Sequence, residues 1–243
     1  SAQSADLVVV STNNAYAVAA STGQPTAAAA AQTRLVQALL ATGKPVVVAA
    51  LRNPYDIASF PEAPTVLDTF AAANGTNLNG RAPDYNGAGA AWSVLAGSWD
   101  IQANEANSTG VALAQASIES KRANALITAG VKVATGGRVG LFVRVTDTSN
   151  GWYIWLRDDT AQFELIERVA GVDTQRAVAA FNPTPSTVYQ IAVKLQGQTI
   201  VATLDGANTI TYTGAASNAS ATKHGLVANL AANRVDNFKV VIP

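Results

Sequence analysis

The chain has 243 residues, of which 49% are hydrophobic and 13% charged, and its 16 Lys and Arg balance its 16 Asp and Glu. Zero net charge excludes the basic footprint with which proteins bind nucleic acid, and the absence of Cys excludes disulfides and thiolate metal sites. The most apolar stretch, residues 35–51, is interrupted by Gly43 and Pro45, so the sequence predicts no membrane span.

The first 64 residues have the pattern of an α/β segment. Leu7–Val10 is an apolar run typical of a strand buried on both faces. An Ala-rich helix is expected over residues 26–42, and a second strand over Val46–Leu51. Strand, helix and strand form a βαβ unit. Because so small a unit buries too little surface to fold alone, it needs further strands, supplied by an upstream segment, the rest of the chain or another copy.

Residues 65–243 have the pattern of an all-β domain. Apolar and polar residues alternate in short segments such as Arg138–Val145 and Tyr189–Leu195, and turn residues such as Gln196–Gln198 separate them. The pattern predicts about a dozen strands and no helix, as in a β-sandwich of the jelly-roll kind. The Pro-rich stretch Pro61–Pro64 marks the boundary between the two domains.

The first quarter of the chain carries three stretches in a distinctive order: Ala5–Asn14, Gln32–Val48 and Leu51–Ile57. They resemble the end of the C-terminal α/β domain of glycoside hydrolase family 3, in particular its β-N-acetylhexosaminidase-like branch. The resemblance implies a catalytic barrel upstream that carries the catalytic Asp and the acid/base. Since no residue of this chain matches those motifs, no catalytic residue is assigned and the chain alone is expected not to be an enzyme.

A second set of segments spans the rest of the chain: Asp68–Phe70, Asn74–Asp84, Trp92–Ile101, Val143–Asp147, Gly151–Tyr153, Leu204–Gly206, Lys223–Leu226 and Asp236–Phe238. They resemble the laminin-G/concanavalin-like jelly rolls that are appended to bacterial secreted enzymes and found in phage tail proteins. This resemblance implies a fold and leaves the function open, because such sandwiches bind sugars, proteins or no known ligand.

The candidate ligand-binding residues cluster around one strand. Alternation places Tyr153 and Trp155 on the same face, where an exposed pair could stack on sugar rings or on a partner. Arg144 and Arg157 would add hydrogen-bond donors. The alternative is that these rings pack between the two sheets, as large aromatic side chains usually do in sandwiches.

Two carboxylates form a candidate calcium site. Asp68 lies near the first strand of the sandwich and Asp236 near the last, and those strands are expected to be neighbours. Carboxylates together with carbonyl oxygens suit Ca²⁺, and Asp84 and Asn237 could contribute. The alternative is that these residues cap turns and strand ends. Calcium is the one cofactor that the sequence suggests.

Other polar residues give no catalytic constellation. His224 is the single His and is expected to be structural or exposed. Asp158 and Asp159 fit a solvated hairpin tip. Glu164 and Glu167 are three residues apart on one strand, so they face opposite sides and do not form the carboxylate pair of a glycosidase.

We therefore expect a non-catalytic extracellular module of bacterial type that binds a polysaccharide or a cell-surface glycan. It would be the C-terminal part of a secreted glycosidase-like protein, with the upstream catalytic chain as a further partner. The alternative is a self-assembling structural subunit, of a filament or a surface or phage-tail-like assembly, whose α/β sheet is completed by a neighbouring copy. Low charge and open strand edges motivate that alternative. Neither nucleic acid nor a membrane span is expected.

Overall fold

The computed structural model describes residues 8–12, 46–50, 64–110 and 112–242. Contacts divide the chain into two compact units, and the division falls between Pro64 and Thr65. Within the described ranges, no helix is long and apolar enough to cross a membrane.

The first unit contains two of the predicted strands. β1 (Val8–Thr12) and β2 (Val46–Ala50) pair in parallel, with Val8 opposite Val46 and Thr12 opposite Ala50. Parallel strands need a long crossover between them, which agrees with the predicted βαβ order. The helix predicted over residues 26–42 lies outside the described residues.

The second unit is built from antiparallel strands, as the alternating pattern predicts. In chain order they are β3 (Pro64–Asp68), β4 (Tyr85–Asn86), β5 (Ser93–Ala96), β6 (Trp99–Gln102), β7 (Glu105–Ser108), β8 (Ala114–Glu119), β9 (Ala125–Lys132), β10 (Arg138–Asp147), β11 (Asn150–Arg157), β12 (Gln162–Val169), β13 (Val172–Ala180), β14 (Tyr189–Gln196), β15 (Thr199–Leu204), β16 (Asn208–Thr213), β17 (Lys223–Asn229) and β18 (Arg234–Val241).

These strands form two sheets. One is seven-stranded, in the order β13-β12-β11-β10-β17-β8-β5. The other is nine-stranded, with the path β16-β15-β14-β9-β18-β3-β4, and β7 pairs with both β18 and β6 beside that path. Strands distant in the sequence are neighbours in both sheets, as β3 and β18 were expected to be. The prediction of a mainly β sandwich is confirmed.

One large hydrophobic core lies between the two sheets. On β11 the side chains of Trp152, Ile154 and Leu156 enter this core, and Val139 and Leu141 do so from β10. Because side chains alternate across a strand, the residues between them face away from the core. That second face of the seven-stranded sheet, which we call the outer face, carries the candidate site.

Candidate functional site

The outer face of the seven-stranded sheet has an apolar floor of its own. A second buried cluster, separate from the main core, consists of Phe142, Val145, Tyr153, Trp155, Ile166 and Val227. The ring centroids of Phe142 and Tyr153 are 4.8 Å apart, and those of Tyr153 and Trp155 are 5.3 Å apart. Such tilted ring pairs stabilise the face beyond simple area burial. We call this cluster the aromatic floor.

Tyr153 anchors the floor to the neighbouring strands. Its hydroxyl accepts a 2.5 Å hydrogen bond from Nε2 of Gln115 on β8, and the same amide nitrogen lies 3.2 Å from the Thr148 carbonyl. Burial raises the pKa of Tyr153 well above its usual value, so the phenol stays protonated. Oε1 of Gln115 is buried beside it and accepts no hydrogen bond from the described residues.

Charged and amide side chains surround the floor. At the end of β11, Nη1 of Arg157 donates to Glu164 at 2.7 Å, while Nε and Nη2 donate to the two oxygens of Asp159 at 2.9 and 2.7 Å. The second oxygen of Glu164 accepts from Nε2 of Gln175 at 2.8 Å. The hydrogen bonds from Arg157 lower the pKa of Asp159, so this carboxylate is ionised at neutral pH.

A second ion pair lies further along the same face. Nη1 of Arg168 donates to Asp173 at 2.6 Å, and its guanidinium carbon lies 5.8 Å from the centroid of the Tyr153 ring. This cation–π contact ties the charged layer to the floor beneath it. We call Arg157, Asp159, Glu164, Arg168, Asp173 and Gln175 together the polar rim.

The structure brings together three of the four predicted ligand-binding residues. Tyr153, Trp155 and Arg157 share the outer face, but the two rings are only 1% and 4% exposed. The fold therefore does not expose the two rings as a stacking pair, because the Arg168 guanidinium lies over Tyr153 and Leu95 and Leu113 pack against the cluster. The rings do not lie between the sheets either, since they form a separate floor.

Arg144, the fourth predicted residue, lies elsewhere. It lies where the register between β10 and both of its neighbours shifts, and its backbone has a φ of 52°. Its Nη2 donates to the Gly197 carbonyl at 2.6 Å, in the turn between β14 and β15, while Nε and Nη1 are buried without a described partner. Burial lowers the pKa of this guanidinium. Arg144 therefore does not join the polar rim.

The predicted calcium pair does not have the geometry of a metal site. Both oxygens of Asp68 are engaged: Oδ1 accepts from the Phe70 amide, and Oδ2 accepts from Arg81 at 2.5 Å and from Trp92 at 2.6 Å. Burial raises the pKa of Asp68 even though Arg81 is paired with it.

The neighbouring carboxylates are also engaged. Asp84 accepts from the backbone and the hydroxyl of Thr69, and Asp236 accepts from Asn237. Across residues 64–110 and 112–242, no group of three or more His, Asp or Glu could hold a metal ion. Since Arg81 already neutralises Asp68, the residues present do not fit Ca²⁺.

The residues considered for catalysis are engaged by the backbone or by other side chains. His224 is fully buried, and its Nδ1 accepts from the Arg144 amide at 3.3 Å while Nε2 lies 2.7 Å from the Arg122 carbonyl. Burial lowers the pKa of His224 to about 4. Glu164 and Glu167 face opposite sides of β12, since Glu164 joins the rim while Glu167 accepts from Ser217 and Arg176.

Sequence reasoning missed the β12 and β13 part of the rim. Arg168, Asp173 and Gln175 were not singled out, and Glu164 was weighed only as half of a catalytic pair. The signal was the alternation on β12, which places Glu164, Ile166 and Arg168 on one face. What the sequence could not supply is the register that sets Glu164 beside Trp155 and Ile166 beside Tyr153.

Comparison with known proteins supports the fold. No protein-family model and no curated protein matches the sequence. Among solved structures, this one is similar to the carbohydrate-binding module CBM66 from Bacillus subtilis, with 13% identity and a TM-score of 0.51 over 61% of this chain and 92% of that chain. It is also similar to a mutant of the GH43 protein BlXynB from Bacillus licheniformis, with 14% identity and a TM-score of 0.53. That match covers 74% of this chain but 39% of the other chain. At such low identity the similarity shows a shared jelly-roll fold.

Proposed function

We propose that the second unit is a non-catalytic carbohydrate-binding module whose site is the polar rim on the outer face of the seven-stranded sheet. The observation that carries this proposal is the rim itself: paired donors and acceptors held in fixed positions over an aromatic floor. A protein does not need such a layer to close its core, because the main core already lies on the other side of the sheet.

The chemistry of the rim suits a sugar. A sugar presents hydroxyl groups, each of which both donates and accepts a hydrogen bond. The rim offers guanidinium and amide donors beside carboxylate acceptors, and their positions are fixed by mutual hydrogen bonds, which lowers the entropy lost on binding. The buried floor holds this layer in place. We infer that sugars are bound mainly by rim hydrogen bonds, since the rings beneath are covered.

The fold gives a supporting analogy. The similar module from Bacillus subtilis is, by its name, a carbohydrate-binding module. Fold similarity alone does not assign a ligand, so the proposal depends on the rim and is tested there.

The test compares two exposed glutamines on different sheets. Gln175 belongs to the rim, while Gln190 lies on β14 in the nine-stranded sheet. We expect Gln175→Ala to weaken binding in a glycan array and in calorimetry by about tenfold, the loss of one or two good hydrogen bonds. Gln190→Ala should bind like the unaltered chain. Absence of binding to every glycan, by a chain that circular dichroism shows to be folded, would refute the proposal.

The wider context is also a proposal. The resemblance of residues 1–64 to the end of a family 3 glycoside hydrolase domain supports a secreted, extracellular protein of bacterial type, in which this module follows a catalytic barrel. On that view the domain division at residues 64 and 65 separates the remnant of the enzyme domain from the binding module. Intact mass and immunodetection of the native protein in culture supernatant and cell fractions would test both points.

A second candidate function, self-assembly, is favoured by one specific feature. β13 lies at the edge of the seven-stranded sheet, and its side chains Val172 and Val178 are 67% and 44% exposed. An exposed edge strand with apolar side chains can pair with another chain. Light scattering that shows a concentration-dependent oligomer, abolished by Val172→Lys, would support a structural subunit; a monomer at all concentrations would exclude it.

A further inference from the structure

We propose that the polar rim selects uncharged glycans and rejects acidic ones, such as those that carry uronic acids or sulfate. This inference rests on the proposed function and specifies its ligand class. It follows from the charge arrangement on the outer face, where each rim cation already has an anionic partner.

Both arginines of the rim are paired with carboxylates. Arg157 bonds to both Asp159 and Glu164, and Arg168 bonds to Asp173. Arg138, at the start of β10, lies 3.3 Å from Asp159. At the other end of the face, Lys223 on β17 stands opposite Glu119 on β8. The guanidinium groups of Arg138, Arg157 and Arg168 each have a carboxylate within 3.3 Å, so a ligand anion would compete with a carboxylate already in place.

Displacement of these partners would be costly. Glu164 is buried and is held by both Arg157 and Gln175, so it cannot swing away to release the guanidinium. A ligand carboxylate would approach a rim that already holds three carboxylates, those of Asp159, Glu164 and Asp173. Like charges at such short range repel, and this repulsion is a common source of specificity. A neutral sugar meets the same donors and acceptors without that repulsion.

The first experiment measures affinity for two pools of soluble polysaccharides. One pool is neutral (glucans, fructans, mannans and galactans), and the other is acidic (polygalacturonate, alginate and heparin). We expect the unaltered chain to bind at least one neutral polymer about tenfold more tightly than any acidic one. That affinity should change less than about twofold between low and physiological salt, since no net ion pairing is involved.

The outcomes separate the two proposals. Preference for an acidic polymer, lost at high salt and sensitive to Gln175→Ala, would overturn the inference of neutral selectivity while the carbohydrate-binding function stands. Binding to neither pool by the folded chain would refute the function and this inference with it.

The second experiment frees one rim cation. Asp173 is half-exposed, so Asp173→Asn should fold normally while leaving Arg168 without its partner. We expect this variant to gain binding to the acidic pool by about tenfold at low salt and to lose the gain at high salt. The matched control is Glu105→Gln, which changes the charge equally and frees Lys132 in the nine-stranded sheet. Equal gains in the two variants would show that net charge, and not the rim, governs anion binding, and would overturn the inference.

Discussion

The two sheets present very different surfaces on the sides that face away from the core. On the nine-stranded sheet, β15 and β16 set Thr199 opposite Thr213 and Thr203 opposite Thr209, with hydroxyls of the latter pair 3.2 Å apart. On the seven-stranded sheet, the outward-facing positions hold the aromatic floor and the polar rim. Both sheets follow the same period of two, so the period does not predict a site. What marks the candidate site is a set of buried rings and ion pairs that lies outside the main core.

This difference has an energetic side. The large rings on the outer face stabilise the fold because they are buried, whereas short hydroxyl side chains on the outward face of the other sheet contribute little. We therefore expect substitutions on the two outward faces to differ in size, and the predictions below run from the largest expected effect to the smallest.

The largest effect is expected at Trp155, in the floor. Trp155→Ala should lower the free energy of unfolding by about 3–5 kcal/mol, because it opens a cavity under the rim. Urea unfolding followed by circular dichroism measures this change. Thr211→Ala on β16 is the control on the opposite outward face, where the residue is exposed. A loss below 1 kcal/mol at Trp155 would mean that the floor is not packed as described.

Protonation of His224, which lies on β17 of the seven-stranded sheet, should destabilise the folded chain in acid. Its pKa is about 4 in the folded chain and 6.5 when unperturbed, so the unfolded chain binds the extra proton between those values. Stability that is present above pH 6.5 is therefore lost as the pH falls towards 4, by roughly 3 kcal/mol in all.

Asp236 in the nine-stranded sheet should act in the opposite direction. Burial raises its pKa to about 6, so the folded chain takes up its proton first and gains stability as the pH falls from 6 towards 3.8. Urea unfolding of Asp236→Asn between pH 4 and 7 should thus show a steeper loss in acid than the unaltered chain. A shallower pH dependence in that variant would contradict these assignments.

A moderate gain is expected at Arg144. Two of its guanidinium nitrogens are buried without a described partner, and an uncompensated charge costs more than an apolar side chain of similar length. Arg144→Met should raise the free energy of unfolding by about 1–2 kcal/mol and leave glycan binding unchanged. Arg144→Lys, which keeps the charge, should give no gain. A lower melting temperature for the Met variant would show that the guanidinium is needed.

The smallest effect is expected on the outward face of the nine-stranded sheet. Thr211→Val should change the free energy of unfolding by less than about 0.5 kcal/mol, since an exposed strand position accepts either β-branched residue. Glycan affinity, measured by calorimetry, should not change. A clear loss of affinity would move the binding site to this sheet and would contradict the assignment to the rim.

Much of the fold could be predicted from the sequence, because strand formation is governed by local alternation. The segments around Trp152 and Tyr189 lie within β11 and β14, and the hairpin tip at Asp158 and Asp159 lies between β11 and β12 as predicted. Opposite faces for Trp152 and Tyr153 followed directly from the period of two. The estimate of about a dozen strands was low, because short strands such as β4 and β6 have too few residues to show a period.

The candidate site was only partly predictable. Arg157 and the two rings were found because they share one strand, whereas Arg168, Asp173 and Gln175 join them through pairing between strands. Arg144 was misplaced because the shift in register on β10 is invisible in the pattern of residues. Asp68 and Asp236 do lie on neighbouring strands, but the sequence gave no sign that Arg81 would occupy the carboxylate of Asp68.

The sequence by itself determined the class of fold and the face on which each strand residue lies. It also excluded disulfides, thiolate metal sites and a basic surface for nucleic acid. These depend on composition and on the geometry of a single strand. Tertiary structure decided which strands are neighbours, which side chains are covered and which charges are paired. Those depend on register and packing between segments far apart in the chain, and the proposed specificity for neutral glycans follows from them.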